Sequence, residues 1–226
     1  MRTLTVYLTT AIAAILLSMN TYGQNSFFIH AGSSIPLLNF ADDDMNKNDA
    51  SGAEIGFNIG CKSLFPLNNK NLGIFIGADL NYNSLKKSVK DDVKESFENL
   101  GINTSITYFK YINIPVVAGL NYTYKANNQL SMFGDLGLGA DFFKVTDMTI
   151  KVSGENLKFN YETSARFAYK IGYGILLHDR YSVELNYNGL GKHTVKGKMK
   201  HDGQSMDIDD SKLKVDILTL CFGIKF

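Results

Sequence analysis

Apolar residues fall at every second position along most of this chain. From Ala53 the apolar row is Ala53, Ile55, Phe57, Ile59 and Cys61, interleaved with Glu54, Gly56, Asn58, Gly60 and Lys62. The same alternation runs through Phe27–Ile35, Leu72–Tyr82, Ile112–Tyr124, Leu130–Val145, Ala165–Leu177, Tyr181–Tyr187 and Leu218–Phe226. A period of two predicts strands with unlike faces, and these segments make an even set of eight.

The connections between them sort by length. Phe65–Asn71, Lys125–Gln129 and His178–Arg180 are short and rich in turn-forming residues. Segments 36–52, 83–107, 146–160 and 189–212 are several times longer and highly charged. Short turns at one end and long polar loops at the other predict an all-β, eight-stranded, antiparallel up-and-down transmembrane barrel of the outer-membrane type. In the second long connection Leu85, Val89, Val93 and Phe97 recur every four residues, which predicts a short amphipathic helix over the barrel mouth.

Alternation alone leaves open which face is inside. A secreted soluble barrel that binds an apolar ligand turns the apolar face inward, and a membrane barrel turns it outward. Three features favour the membrane. The polar face is rich in glycine and small residues, as a narrow eight-stranded interior requires. It carries both signs of charge, Glu54, Asp79, Asp135, Asp141 and Glu184 against Lys62, Arg166, Lys170 and Lys225, a set suited to pairing across a lumen. The apolar face is almost free of charge, and Tyr122, Tyr124, Tyr169, Tyr173, Tyr181 and Tyr187 supply aromatics of the interfacial kind.

The N-terminus reads as an address. Arg2 precedes an apolar run from Leu4 to Leu17, followed by Ser18–Gly23 with small residues at Thr21 and Gly23. This predicts a secretory signal over residues 1–23 and a barrel over 24–226. A membrane anchor is the competing reading, but the run is short against the roughly 20 residues a spanning helix needs. Composition agrees with strands: 20 Gly, 12 Tyr and 15 Phe accompany only 3 Pro and no Trp. With Lys+Arg at 23 and Asp+Glu at 22, the net charge of +1 removes the electrostatic case for nucleic acid.

Two local stretches then add a family resemblance. Tyr111-Ile112-Asn113-Ile114-Pro115-Val116 resembles the aromatic-x-acidic-Ile-Pro stretch of the PorT-like outer-membrane barrels, with Asn113 in place of the acidic residue. The final strand, alternating Leu220, Phe222, Ile224 and Phe226, resembles the terminal signal by which barrel-assembly machinery selects its clients. The resemblance implies a bacterial outer-membrane location with outer-membrane lipid and that machinery as partners. An extracellular or envelope protein partner is expected at the long loops. Pro115 lacks a ladder donor and predicts a bulge.

Chemistry is sparse. Cys61 and Cys221 fall on opposite faces of non-adjacent strands, which argues against a disulfide. His30 and Ser33 are three apart on one strand and face opposite ways, while His193 and His201 lie in a charged connection and read as solvent-exposed. An EF-hand started at Asp42 places Lys47 where glycine is needed and Ala53 where the bidentate acid belongs, so the pattern fails. No catalytic residue, cofactor or metal site is expected. The leading reading is a non-enzymatic envelope protein acting through its loops; an outer-membrane enzyme built on loop-end residues is the alternative.

Overall fold

The computed structural model describes residues 25–44, 47, 49–67, 71–102, 104–152, 155–201 and 204–226. The expected signal over residues 1–23 lies outside that set. Eleven strands form among the described residues: β1 (Ser26–Leu37), β2 (Gly56–Pro66), β3 (Leu72–Ser84), β4 (Thr104–Thr107), β5 (Lys110–Lys125), β6 (Leu130–Val145), β7 (Met148–Val152), β8 (Glu155–Tyr161), β9 (Thr163–Leu177), β10 (Tyr181–His201) and β11 (Gln204–Lys225). Two helices accompany them, α1 (Leu38–Ala41) and α2 (Lys87–Asn99).

Eight of these strands close a ring in the order β1-β2-β3-β5-β6-β9-β10-β11, every neighbour antiparallel. Closure is made by β1 against β11, where His30 lies opposite Gly223 and Ile35 opposite Leu218. Pairing extends to the termini, because Phe226 N–H donates to Phe27 O at 2.7 Å. The barrel therefore has no open edge, as the backbone of a membrane-spanning strand requires.

The two faces divide as the alternation requires. Leu136, Leu138, Phe167, Ile171, Leu185, Leu220 and Phe222 point out of the ring and stay exposed, while Phe75, Asn81, Asp135, Lys170 and Glu184 point in and are buried. On β9 the outward row from Phe167 to Leu177 is about the length a transmembrane strand needs, roughly 9–11 residues. Exposed Tyr122, Tyr124, Tyr181 and Phe226 stand at the short-turn end of the band, and Phe57 stacks on Tyr82 with centroids 5.0 Å apart at the other. These are the two aromatic girdles of a transmembrane barrel. Tyr169 and Tyr187, also expected on this face, contact each other at 5.9 Å, and the Tyr187 hydroxyl donates to Asp216 Oδ1.

The long connections differ from the sequence reading. The described residues of segment 189–212 are strand and not loop: β10 and β11 run on together to His201 opposite Gln204, through register shifts at Gly189/Gly191 and Val195/Gly197. Segment 146–160 folds into the β7–β8 hairpin, which joins the distal end of β10 through β8, while β4 adds to β7. The ring thus continues into a small sheet of β11-β10-β8-β7-β4 beyond the long-loop end of the barrel, here called the crown. Helix α2 forms where the four-residue spacing predicts it and buries Val89. Pro115 makes no bulge. The β3–β5 ladder lapses between Ala78–Val116 and Asn81–Asn113 without a shift in register, and Pro115 stays paired with Asp141 on β6.

Candidate functional site

The barrel interior is organised around five charges on five strands. Lys62 on β2 reaches across to Asp135 Oδ2 on β6 at 2.8 Å and Glu184 Oε2 on β10 at 3.2 Å. Its ammonium also lies over the rings of Phe133 and Phe28, 4.5 and 5.0 Å from their centroids. Asp79 on β3 accepts from Lys170 on β9 at 3.1 Å and contacts His30 Nε2 on β1 at 2.6 Å. Because the partner is a carboxylate, His30 Nε2 is the nitrogen that carries the proton. Neutral donors complete the set: Asn121 Nδ2 to Asp135 at 2.6 Å, Ser182 Oγ to Glu184 at 3.0 Å, and Asn58 Nδ2 to Asn81 at 2.9 Å. Each charge meets an opposite charge or several dipoles, the condition under which ions persist in a water-poor interior.

Of the nine charges expected in the lumen, Lys62, Asp79, Asp135, Lys170 and Glu184 are brought together here. Asp141 is also buried, but higher, where its Oδ2 lies 3.1 Å from His193 Nε2. The other three stand apart. Glu54 precedes β2 and accepts from Ser84 Oγ at the exposed rim. Arg166 sits two residues beyond the buried Ala168, out in solvent, where Nε donates to Lys192 O at 3.0 Å. Lys225 closes the short-turn end, 2.6 Å from the exposed Asp179. All three lie at or just beyond the ends of strands, where alternation still assigns a face but the wall no longer encloses it.

Above the charges an apolar plug fills the mouth. Phe40 of α1, Val89 of α2, Tyr111, Phe143, Leu190, Val215 and Ile217 pack there, with Phe40 and Tyr111 edge to face at 5.2 Å. Tyr111 donates its hydroxyl to Ser51 O, which fastens the first long connection into the plug. His193 is wholly buried at its base, against the reading of an exposed loop histidine, because β10 continues through the position. Its Nε2 faces two acceptors, Leu190 O at 2.8 Å and Asp141, so Nε2 bears the proton. His201 is partly exposed beside Glu155. His30 and Ser33 do not meet, and Cys221 Sγ approaches Asn58 Oδ1 at 3.1 Å with β1 standing between β11 and β2.

The acidic first connection is tied down by its own neighbours. Asp42 takes Lys47 Nζ at 2.9 Å, and Asp43 accepts from Ser88 Oγ of α2 at 2.9 Å. Hydrogen bonding from Lys47 and Ser88 respectively holds both carboxyls below their ordinary value.

Residues 9–226 match the outer membrane protein β-barrel domain. The chain belongs to that family. It is therefore a protein of the bacterial outer membrane, with its apolar band in lipid, and not a secreted soluble barrel. Short turns then mark the periplasmic end and the crown the extracellular end. Among solved structures, a major outer membrane protein of Thermus thermophilus is similar with 12% identity and a TM-score of 0.53, over 89% of this chain and 99% of that one. Neisserial surface protein A is similar with 12% identity and a TM-score of 0.48, over 89% and 95%. The attachment invasion locus protein Ail of Yersinia pestis is similar with 18% identity and a TM-score of 0.45, over 89% and 97%. These likenesses concern the fold. No curated protein matches the sequence.

Proposed function

We propose that this chain is a non-enzymatic envelope protein, structural or interacting, that works through its extracellular crown and not as a diffusion pore. The observation that carries this is the pairing of a doubly closed lumen with a sheet carried outward. Ion-paired side chains bridge the interior, the Phe40–Tyr111–Phe143 plug seals it, and β10 and β11 continue past it into the crown. An eight-stranded barrel has room for side chains and little else. The non-enzymatic reading is supported by the burial of both interior histidines, each turned towards a carboxylate beneath the plug, where a substrate has no approach. The five central charges serve as a structural network. The row Phe222, Ile224 and Phe226 serves as the signal for the assembly machinery, and Tyr111–Val116 supports placement among the PorT-like barrels.

The test compares the whole chain with one in which residues 194–211 are replaced by a two-residue turn. The full protein should give no discrete conductance in planar bilayers. Cells carrying the trimmed barrel should show the same envelope defects as cells lacking the chain. Conductance steps in the full protein, or full rescue by the trimmed barrel, would refute the reading.

A further inference from the structure

A cleft of about 660 Å³ opens on the extracellular side, between the plug and the distal β10–β11 ribbon. Its walls are aromatic and aliphatic: Phe109 and Tyr161 meet edge to face at 6.2 Å, with Val195 and Leu213 beside them. Phe109 continues the packing inward, edge to face with Tyr111 at 5.3 Å. Such a wall offers ring edges and faces to a planar guest, the geometry aromatic pairs prefer. The volume falls within the roughly 300–1,000 Å³ of small-molecule sites.

The rim carries three lysines, Lys47, Lys192 and Lys212, against two carboxylates, Asp49 and Asp210. Lys192 is occupied by Asp49 at 2.7 Å and Lys47 by Asp42 at 2.9 Å. Asp210 lies 3.9 Å from Lys196 Nζ, and Lys212, exposed on β11 at the same rim, has no ion-pair partner among the described residues. An ammonium outside any ion pair of the described residues, above an aromatic wall, matches a ligand with a flat apolar body and a single anionic group.

We propose that this cleft binds a small aromatic carboxylate, its ring against Phe109 and Tyr161 and its carboxylate at Lys212. The inference rests on the crown being the working end of the protein. Binding to purified protein is measured without reference to envelope phenotype, so failure of one does not entail failure of the other.

The experiment uses the full barrel in phospholipid nanodiscs, with 2-naphthoate as probe and equilibrium dialysis against empty nanodiscs to remove partitioning. Saturable binding to the protein is expected. Lys212→Glu should weaken it at least about tenfold, since an attractive contact becomes a repulsive one. Lys200→Glu, the same charge change further along the ribbon, should leave it unchanged. Val195→Trp should abolish it by filling the cleft, and heat-modifiable migration reports whether that variant still folds. Decanoate and 2-naphthalenemethanol should each bind at least several-fold more weakly than 2-naphthoate. No binding above empty nanodiscs, wild-type affinity in Lys212→Glu, or decanoate binding as tightly as 2-naphthoate would each overturn the proposal.

Discussion

His30 Nε2 and Asp79 Oδ1 meet at 2.6 Å although their strands are not neighbours, because the residue between them on β2 is Gly60. Gly60 lies directly opposite His30 on one side and Asp79 on the other, and a Cβ there would collide with both side chains. Close approach is what glycine supplies at this position. Phe133 over Gly174 repeats the device on β6 and β9.

Gly60→Ala should therefore cost about 1–3 kcal/mol, the usual range for overpacking a filled interior. Gly134→Ala, whose added Cβ would find its nearest atom at 3.8 Å, should be neutral or slightly stabilising. Urea titration of the folded and unfolded gel bands measures both. Equal effects would show that the His30–Asp79 contact does not depend on the space at Gly60.

Lys62 is the most heavily used charge of the interior, with two carboxylates and two rings around its ammonium. Lys62→Met should destabilise the barrel by about 3–5 kcal/mol, because Asp135 and Glu184 lose their counter-ion. Adding Asp135→Asn and Glu184→Gln should recover a large part of that loss, since the penalty lies in unpaired charge and not in missing attraction. If the triple variant is no better than the single one, the packing of the Lys62 stem is the larger contribution.

The outward band makes a sharper demand. Leu136 and Ile171 are register partners near the middle of β6 and β9, both exposed. Leu136→Arg should cost about 2–4 kcal/mol in a bilayer. Lys198→Leu on the crown should change stability by less than about 0.5 kcal/mol. Unfolding in lipid vesicles distinguishes the two positions.

The eight ring strands and their faces were legible because a fixed period of two forces every inward residue to declare itself, Gly60 and Asp79 included. What alternation cannot supply is distance across the ring. Lys62 meets Asp135 on β6 and Glu184 on β10, contacts set by closure and shear and by no spacing in sequence. The crown was missed for a different reason: its exposed strands have little apolar surface to bury, so Lys196, Lys198 and Lys200 look like a solvated loop. A signal was present in Met148, Ile150 and Val152, and in Val195, Gly197 and Met199, which alternate through both segments. Burial of His193 follows once β10 is allowed to continue past Gly191, where φ is 85°.

The tie between the first long connection and α2 depends on ionised carboxyls. Asp42 and Asp43 are held below their ordinary value of 3.8 by hydrogen bonds from Lys47 and Ser88. A lowered folded value means that the stabilisation is fully present above 3.8 and is lost as pH falls through the lowered value. Amide exchange in residues 42–44 and at the start of α2 should therefore be unchanged between pH 7 and pH 5 after correction for intrinsic rates, and should accelerate below about pH 4. The interior strands, measured in the same experiment, provide the reference. Acceleration already at pH 5 would assign the tie to another group.

The last residue separates assembly from stability. Phe226 is joined to Phe27 by two backbone bonds, N–H to O at 2.7 Å and O from N–H at 3.2 Å, while the residue as a whole is 66% exposed. Phe226→Ala leaves both backbone bonds in place and removes a ring that packs little against the barrel. Refolded in detergent, the variant should match the wild type to within about 1 kcal/mol, as expected for a truncation outside the packed interior. In cells the same variant should reach the outer membrane in smaller amounts if the aromatic end is what the assembly machinery reads. Quantifying heat-modifiable protein in outer-membrane fractions, alongside the detergent measurement, discriminates the two roles. Equal losses in cells and in detergent would make the ring a structural element, and undiminished assembly would remove its role as a signal.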